Sequence, residues 1–297
     1  VTTRSYLSCF SLCLVTLVGC GPVATDVVQI GSTKAAFLGP PSEFRALAPR
    51  LEKLFGKPVV FRAQPDGAAL GQQLALGEIE FAFLSAKEFC EIDDASQLDL
   101  LATAVNPNGR SSRRAFIITR KDSSIARVAD LSGKRFAYGY RGDLLTDHAT
   151  QATLKNEGLE ATKLATEILP PPLAYDGRLY AGKEAAAKVA IPVLRGDVFP
   201  IAAGVIDEIA FANLPATGGN LITGPAQDDF RILAKTMVVP EMVVAIGPQT
   251  EDSLAAIMTE FLLEQVKNEP VICEQMGVSG FTTADEEQYS LARLLLN

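Results

Sequence analysis

Short apolar runs closed by glycine alternate, in this chain, with stretches whose apolar residues recur every three to four positions. Residues 27–30 form one such run, closed by Gly31. Phe44, Leu47, Ala48, Leu51, Leu54 and Phe55 then fall on one helical face. Pro49 starts or kinks that helix, and Gly56 suits its end. Residues 59–61 read as the next strand. Leu70, Leu74 and Leu76 mark a short helix that stops at Gly77, and residues 79–84 read as a buried strand ending at Ser85. This alternation predicts βαβ units, hence a largely parallel sheet covered on both faces.

The turn cluster Asn106-Pro107-Asn108-Gly109 marks a boundary near residue 110. Beyond it, strands are expected at 115–119 and 135–138. A helix follows at 147–156, with Thr146 placed to cap it. Pro170-Pro171-Pro172 reads as a loop. A helix begins at Lys183, and Ile191-Pro192 leaves its end open. Further strands are expected at 201–206, 232–234 and 242–246. Leu254, Ile257, Met258, Phe261 and Leu262 make an apolar helical stripe after Thr250. Thr283-Ala284-Asp285-Glu286 has the form of a capping box ahead of a final helix.

One piece of grammar occurs twice. Leu76-Gly77-Glu78-Ile79 leads into the strand ending at Ser85, and Leu194-Arg195-Gly196-Asp197 leads into the strand ending at Asp207. Two similar α/β lobes with polar strand ends imply a cleft between carboxyl edges, where open α/β sheets bind ligands.

Composition fits two cores. The chain has 297 residues, 48% of them apolar, and a formal net charge of −8. No lysine or arginine block occurs; the nearest is Arg110 with Arg113 and Arg114 in a polar turn. A nucleic-acid surface needs a much larger basic footprint, so that class is excluded. Residues 6–18 are mostly apolar and too short to span a bilayer, which fits a processed export signal. The closing Leu17-Val18-Gly19-Cys20 resembles a bacterial lipobox, with Cys20 as the lipidated first residue of the mature chain. The mature chain then keeps Cys90 and Cys273, read as buried thiols unless an oxidising compartment pairs them. No metal site is expected.

Four stretches in order resemble the phosphate, phosphite and phosphonate group of ABC-transporter substrate-binding proteins. They are residues 76–85; FIITRKDSSIARVADLSGKRFAYG at 116–139; FRILAKTMVVPEMV at 230–243; and GFTTADEEQYSLARLL at 280–295. The resemblance implies a two-lobed type 2 periplasmic-binding-protein-like α/β fold, each lobe a mainly parallel sheet flanked by helices. It divides the chain into a signal peptide at 1–19 and a lipidated tether at 20–25. Lobe 1 is then 26–112 with 236–297, and lobe 2 is 113–235. It implies a monomer without cofactor, anchored on the outer side of a bacterial membrane, that closes on a small solute and meets an ABC permease.

In relatives a serine- and threonine-rich glycine motif at a helix start holds an oxyanion after the strand that here ends at Tyr138. The matching stretch holds Tyr140, Arg141, Gly142 and Thr146 but lacks the serines, and Asp143 and Asp147 oppose a dianion. A His-Asp pair in relatives corresponds to Lys183-Glu184. Asp207 matches an acid that faces a solute amine. Thr33, Lys34 and Ser85 lie at the lobe 1 edge. The implied solute is therefore anionic or zwitterionic. Two alternatives stand beside transport: a binding protein feeding a sensory receptor, and an enzyme on the same fold. For the second, the single histidine, His148, lacks an opposing nucleophile set, and no Gly-x-Ser-x-Gly, His-Glu-x-x-His or P-loop motif occurs.

Overall fold

The computed structural model describes residues 27–33, 44–139, 141–168, 183–195, 201–219 and 224–296. Cys20 and the export segment, Lys34, Tyr140, the proline loop, part of the second grammar repeat and the Lys183 side chain lie outside the described residues.

Glycine closes the first two helices because only it takes a left-handed turn without strain: φ is 65° at Gly56 and 69° at Gly77. The first lobe runs β1 (Val28–Ser32), α1 (Leu47–Phe55), β2 (Val59–Ala63), α2 (Gly67–Leu76), β3 (Phe81–Leu84), α3 (Ala86–Cys90) and β4 (Asp99–Val105). The chain leaves it through β5 (Ser112–Arg113). The second lobe follows as β6 (Ala115–Arg120), β7 (Arg135–Tyr138), α4 (Thr150–Asn156), β8 (Ala165–Ile168), α5 (Lys183–Leu194), β9 (Ala203–Asp207), α6 (Glu208–Ala212) and β10 (Phe230–Lys235). The chain returns through β11 (Val239–Pro240) to β12 (Val243–Ile246), α7 (Asp252–Glu260), α8 (Pro270–Met276), β13 (Gly280–Thr282) and α9 (Glu286–Arg293).

The first sheet has the order β13-β4-β12-β3-β1-β2 and the second β10-β6-β9-β7-β8. Most strands of each sheet run one way, as expected, and antiparallel strands are mixed in: β12 and β13 in the first sheet and β6 in the second. β1 pairs in parallel with β2 and β3, and β7 with β8 and β9, but β12 and β6 are antiparallel to their neighbours. The cause lies in the connections. Apart from β13, which follows α8 and runs antiparallel along β4, a strand reached through a helix points towards the inter-lobe edge, whereas β6 and β12 start at that edge, straight from β5 and β11, and point away. β5 and β11 themselves pair antiparallel, Val239 opposite Arg113.

Strand alternation divides the interior. Ala82 and Leu84 face one cluster with Leu70 and Leu74, while Phe81 and Phe83 face another with Val28, Met258 and Phe261. The first cluster continues into lobe 2 through Ile117, Phe136 and Leu144, and a third, around Ile118 and Val193, covers the far face of the second sheet. Among the described residues, no helix is long and apolar enough to cross a membrane. Cys90 and Cys273 are unpaired thiols; Cys90 is buried against the Tyr289 carbonyl, and burial pushes it up to about 11.

Two helix starts differ from expectation. The helix expected at 147 begins earlier, with a π-helical turn at Leu144–Ala149 leading into α4, and its cap is Asp143, not Thr146. The last helix is capped by Asp285, not Thr283. In both, a nearby carboxylate displaces the hydroxyl because an ionised acceptor makes the stronger bond to helix amides.

Candidate functional site

The carboxyl ends of β1 and β3 in one lobe and of β7 and β9 in the other are the strand ends between which an α/β arrangement of this kind forms its cleft. Four of the expected site residues fall into two groups. In lobe 1, Ser85 caps α3 in a capping box: its Oγ accepts from Glu88 N (3.3 Å), and Glu88 Oε2 accepts from Ser85 N (2.6 Å). The other Glu88 oxygen accepts from the Thr33 hydroxyl. Glu88 thus ties the ends of β1 and β3 together.

In lobe 2, Gly142 and Thr146 are joined through two acids. Asp143 Oδ1 accepts from Leu145 N (3.1 Å), Thr146 N (2.6 Å) and Thr146 Oγ1 (2.7 Å). Asp147 is buried; its Oδ2 accepts from Gly142 N (2.6 Å) and its Oδ1 from Gln151 Nε2 (2.6 Å). Gly142 has φ 77°, a left-handed turn that brings its amide round to Asp147. A Cβ placed on Gly142 would lie 3.9 Å from Lys87 Cε of α3, so this segment meets lobe 1 across the cleft. Lys87 itself pairs with Glu91, and Arg141 is exposed.

Asp207 stands apart from both groups. Its Oδ1 caps α6 through Ile209 N (2.7 Å) and Ala210 N (3.4 Å), while Oδ2 lies 3.1 Å from Arg113 Nη1. Arg113 also reaches Glu241 (3.6 Å), which is 2% exposed and accepts from Asn106 Nδ2 (2.9 Å). The Glu241 carbonyl accepts from Tyr289 OH (2.9 Å), and burial raises that phenol above its ordinary value. Beside this group, Arg110 pairs with buried Glu208 (3.4 Å). The crossing strand therefore carries a cation between an acid of each lobe.

Sequence reasoning missed the roles of Glu88, Arg113 and Glu241. Ser85-x-x-Glu88 is itself a capping-box pattern and was legible. Arg113 carried a weaker signal, a cation just before a strand whose partner ends in two acids; the register Ala115–Asp207 makes them neighbours. Tyr138 had none. It ends β7 at 5% exposure, its hydroxyl has no hydrogen-bond partner among the described residues, and burial together with Asp147 pushes it up to about 12. Among the described residues, no group of His, Cys, Asp or Glu is placed to hold a metal ion.

A second depression, about 700 Å³, lies at the opposite edge of the first sheet and is lined by Gln29, Arg62, Glu80 and Glu251. It faces away from the cleft.

A family model described as "ABC transporter, phosphonate, periplasmic substrate-binding protein" matches residues 41–289. The chain belongs to this family. Members of the phosphonate-type substrate-binding proteins bind solutes rather than transform them, work outside the cytoplasm and serve an ABC permease. No curated protein sequence matches the chain. Solved structures agree on the fold. An ATP-bound protein from Xanthomonas citri is 15% identical with a TM-score of 0.63, covering 92% of this chain and 97% of its own. PhnD1 from Prochlorococcus marinus, in complex with methylphosphonate, is 12% identical with a TM-score of 0.61, over 91% and 97% of the two chains. A binding-protein component of an ABC phosphonate transporter from Pseudomonas aeruginosa is 15% identical, TM-score 0.57, over 91% and 85%. At these identities the likeness fixes the two-lobed α/β architecture of this family member and nothing finer.

Proposed function

We propose that this family member captures a small polar solute, anionic or zwitterionic, in the inter-lobe cleft and delivers it to an ABC permease while a lipid on Cys20 holds it to the membrane. The observation that supports the reading is the approach of polar strand and helix ends from two lobes: Thr33 and Ser85, joined by Glu88 on α3, and the Gly142 to Thr146 segment, which comes close to Lys87 of that same helix. Lys34, Arg141 and Lys183 supply compensating charge, and Tyr140 a stacking face. Relatives with this fold are bound to ATP and to methylphosphonate, both of which carry phosphorus oxyanions. Residues 26–112 with 236–297 act as one rigid lobe and 113–235 as the other, closing about β5 and β11.

A thermal-shift screen of phosphate, phosphite, alkyl- and aminoalkyl-phosphonates, sulfonates and amino acids tests the reading. A ligand at about 100 times its dissociation constant adds about 2.7 kcal/mol of apparent stability. Small-angle scattering with the best ligand should give a smaller radius of gyration. Binding without any change in shape would sink the closure mechanism. Intact-mass analysis of membrane-extracted protein should begin at a lipid-modified Cys20, and a soluble protein beginning elsewhere would remove the anchor.

A further inference from the structure

We propose that Asp143 and Asp147 fill, from within the chain, the donor cradle that a bare oxyanion would need, so that the cleft rejects phosphate-like ions and accepts a solute whose cationic group faces these carboxylates. The inference rests on the cleft reading above and narrows its solute class. One oxygen, Asp143 Oδ1, collects two backbone amides and a hydroxyl, which is the donor convergence that holds a bound oxyanion. Asp147 takes the Gly142 amide, the next donor along the segment. Neither acid has a lysine or arginine partner among the described contacts, so no cation offsets the charge of half-buried Asp143 or buried Asp147 there.

The same substitution of chain for ligand recurs at the other strand ends. Glu88 holds Ser85 N and the Thr33 hydroxyl, and Asp207 holds Ile209 N and Ala210 N. A phosphate entering this cleft meets used donors and like charge, which together act against that competitor. A second observation points to a missing polar partner. The Tyr138 hydroxyl, nine-tenths buried and close enough to feel the charge of Asp147, is satisfied by nothing among the described residues. A polar group of the solute completes it.

The experiment titrates inorganic phosphate into the full mature chain and into Asp143→Ser/Asp147→Asn, with circular dichroism confirming the fold. Serine is as good a cap as aspartate and asparagine keeps the acceptor for Gly142, so both changes remove charge more than structure. The double variant should bind phosphate at least tenfold more tightly than the parent. Equal affinities, or tight phosphate binding by the parent, would overturn the proposal. If the double variant does not fold, Asp147→Asn alone should still gain at least threefold, and no gain would overturn it equally. Failure of the cleft reading looks different: scattering would show no closure with any solute in either protein, whatever phosphate does.

Discussion

The acids at the base of the cleft and those at its lip are held by different partners. At the base, Glu241 and Asp207 face a guanidinium, Arg113, on a strand that crosses between lobes. At the lip, Asp143 and Asp147 face mainly backbone amides of their own segment. The first arrangement joins elements far apart in sequence and loses a great deal if one partner goes, because Glu241 is left charged in the interior. The second is local and survives dilution of its charge. Lobe attachment therefore draws on the base together with the apolar cluster that runs through both lobes, while the lip is free to vary with the solute.

The hardest test removes the cation. Arg113→Met should cost about 3 kcal/mol in urea unfolding, as expected when a buried pair loses one member. Adding Glu241→Gln should restore part of that loss, since the stranded charge is then gone. A loss below about 1 kcal/mol would put the base in the same class as a surface pair and erase the contrast.

Tyr289→Phe probes the same base without touching charge. Its hydroxyl bonds both Thr103 and the Glu241 carbonyl, while the ring stacks edge-on against Phe89. Phenylalanine keeps the ring, so the expected loss is the stranded buried acceptor, about 1–2 kcal/mol. The denaturant midpoint should move while the slope stays constant. A changed slope would mean that the lobes no longer unfold together.

The fold was legible because its grammar is local. Glycine ends at 56 and 77, the strand at 135–138 and the start of the helix at Lys183 all follow from period and punctuation. The sheet directions were not. β6 and β12 carry the same apolar signature as any buried strand, and only the order of chain crossings decides which way they run. The candidate site divides in the same way. Ser85 and Gly142 stand at strand or helix ends that punctuation predicts, and the acid at 143 was read as repelling a ligand. That it caps the helix in place of Thr146 depends on where the helix begins, one turn earlier than its apolar pattern. Arg113 meets Glu241 only because two crossing strands pair, a contact between residues far apart in the chain that no local pattern encodes.

Moving to the lip, Asp143→Ala should cost about 1 kcal/mol, the usual value of a helix cap. It frees Leu145 N, Thr146 N and the Thr146 hydroxyl together, but water can reach this half-buried segment. Thermal unfolding checks it. A loss as large as that of Arg113→Met would show that the lip also joins the lobes, and the division between base and lip would fail.

The smallest effect comes from a carboxylate far from both regions. Glu80, in the depression at the back of the first sheet, accepts from the Gln29 amide at 2.6 Å. Desolvation holds its carboxyl above the ordinary value, against the pull of that amide and of Lys57. A raised folded value fixes the sign. The contribution of Glu80 to stability is complete below the ordinary carboxyl range and is lost as pH rises through its folded value. At pH 7 the ionised group is therefore a small burden, and Glu80→Gln, which retains an oxygen for the Gln29 amide, should melt slightly higher than the parent. The gain should stay within about 0.5 kcal/mol, as for most substitutions near a surface. It should shrink as pH falls and vanish below the ordinary carboxyl range, at about pH 3, where both states carry a neutral side chain. A variant less stable at pH 7 would mean that charge-assisted amide bonding outweighs desolvation. The lip acids, held by bonds of the same kind, would then be stabilising as charges and not only as caps.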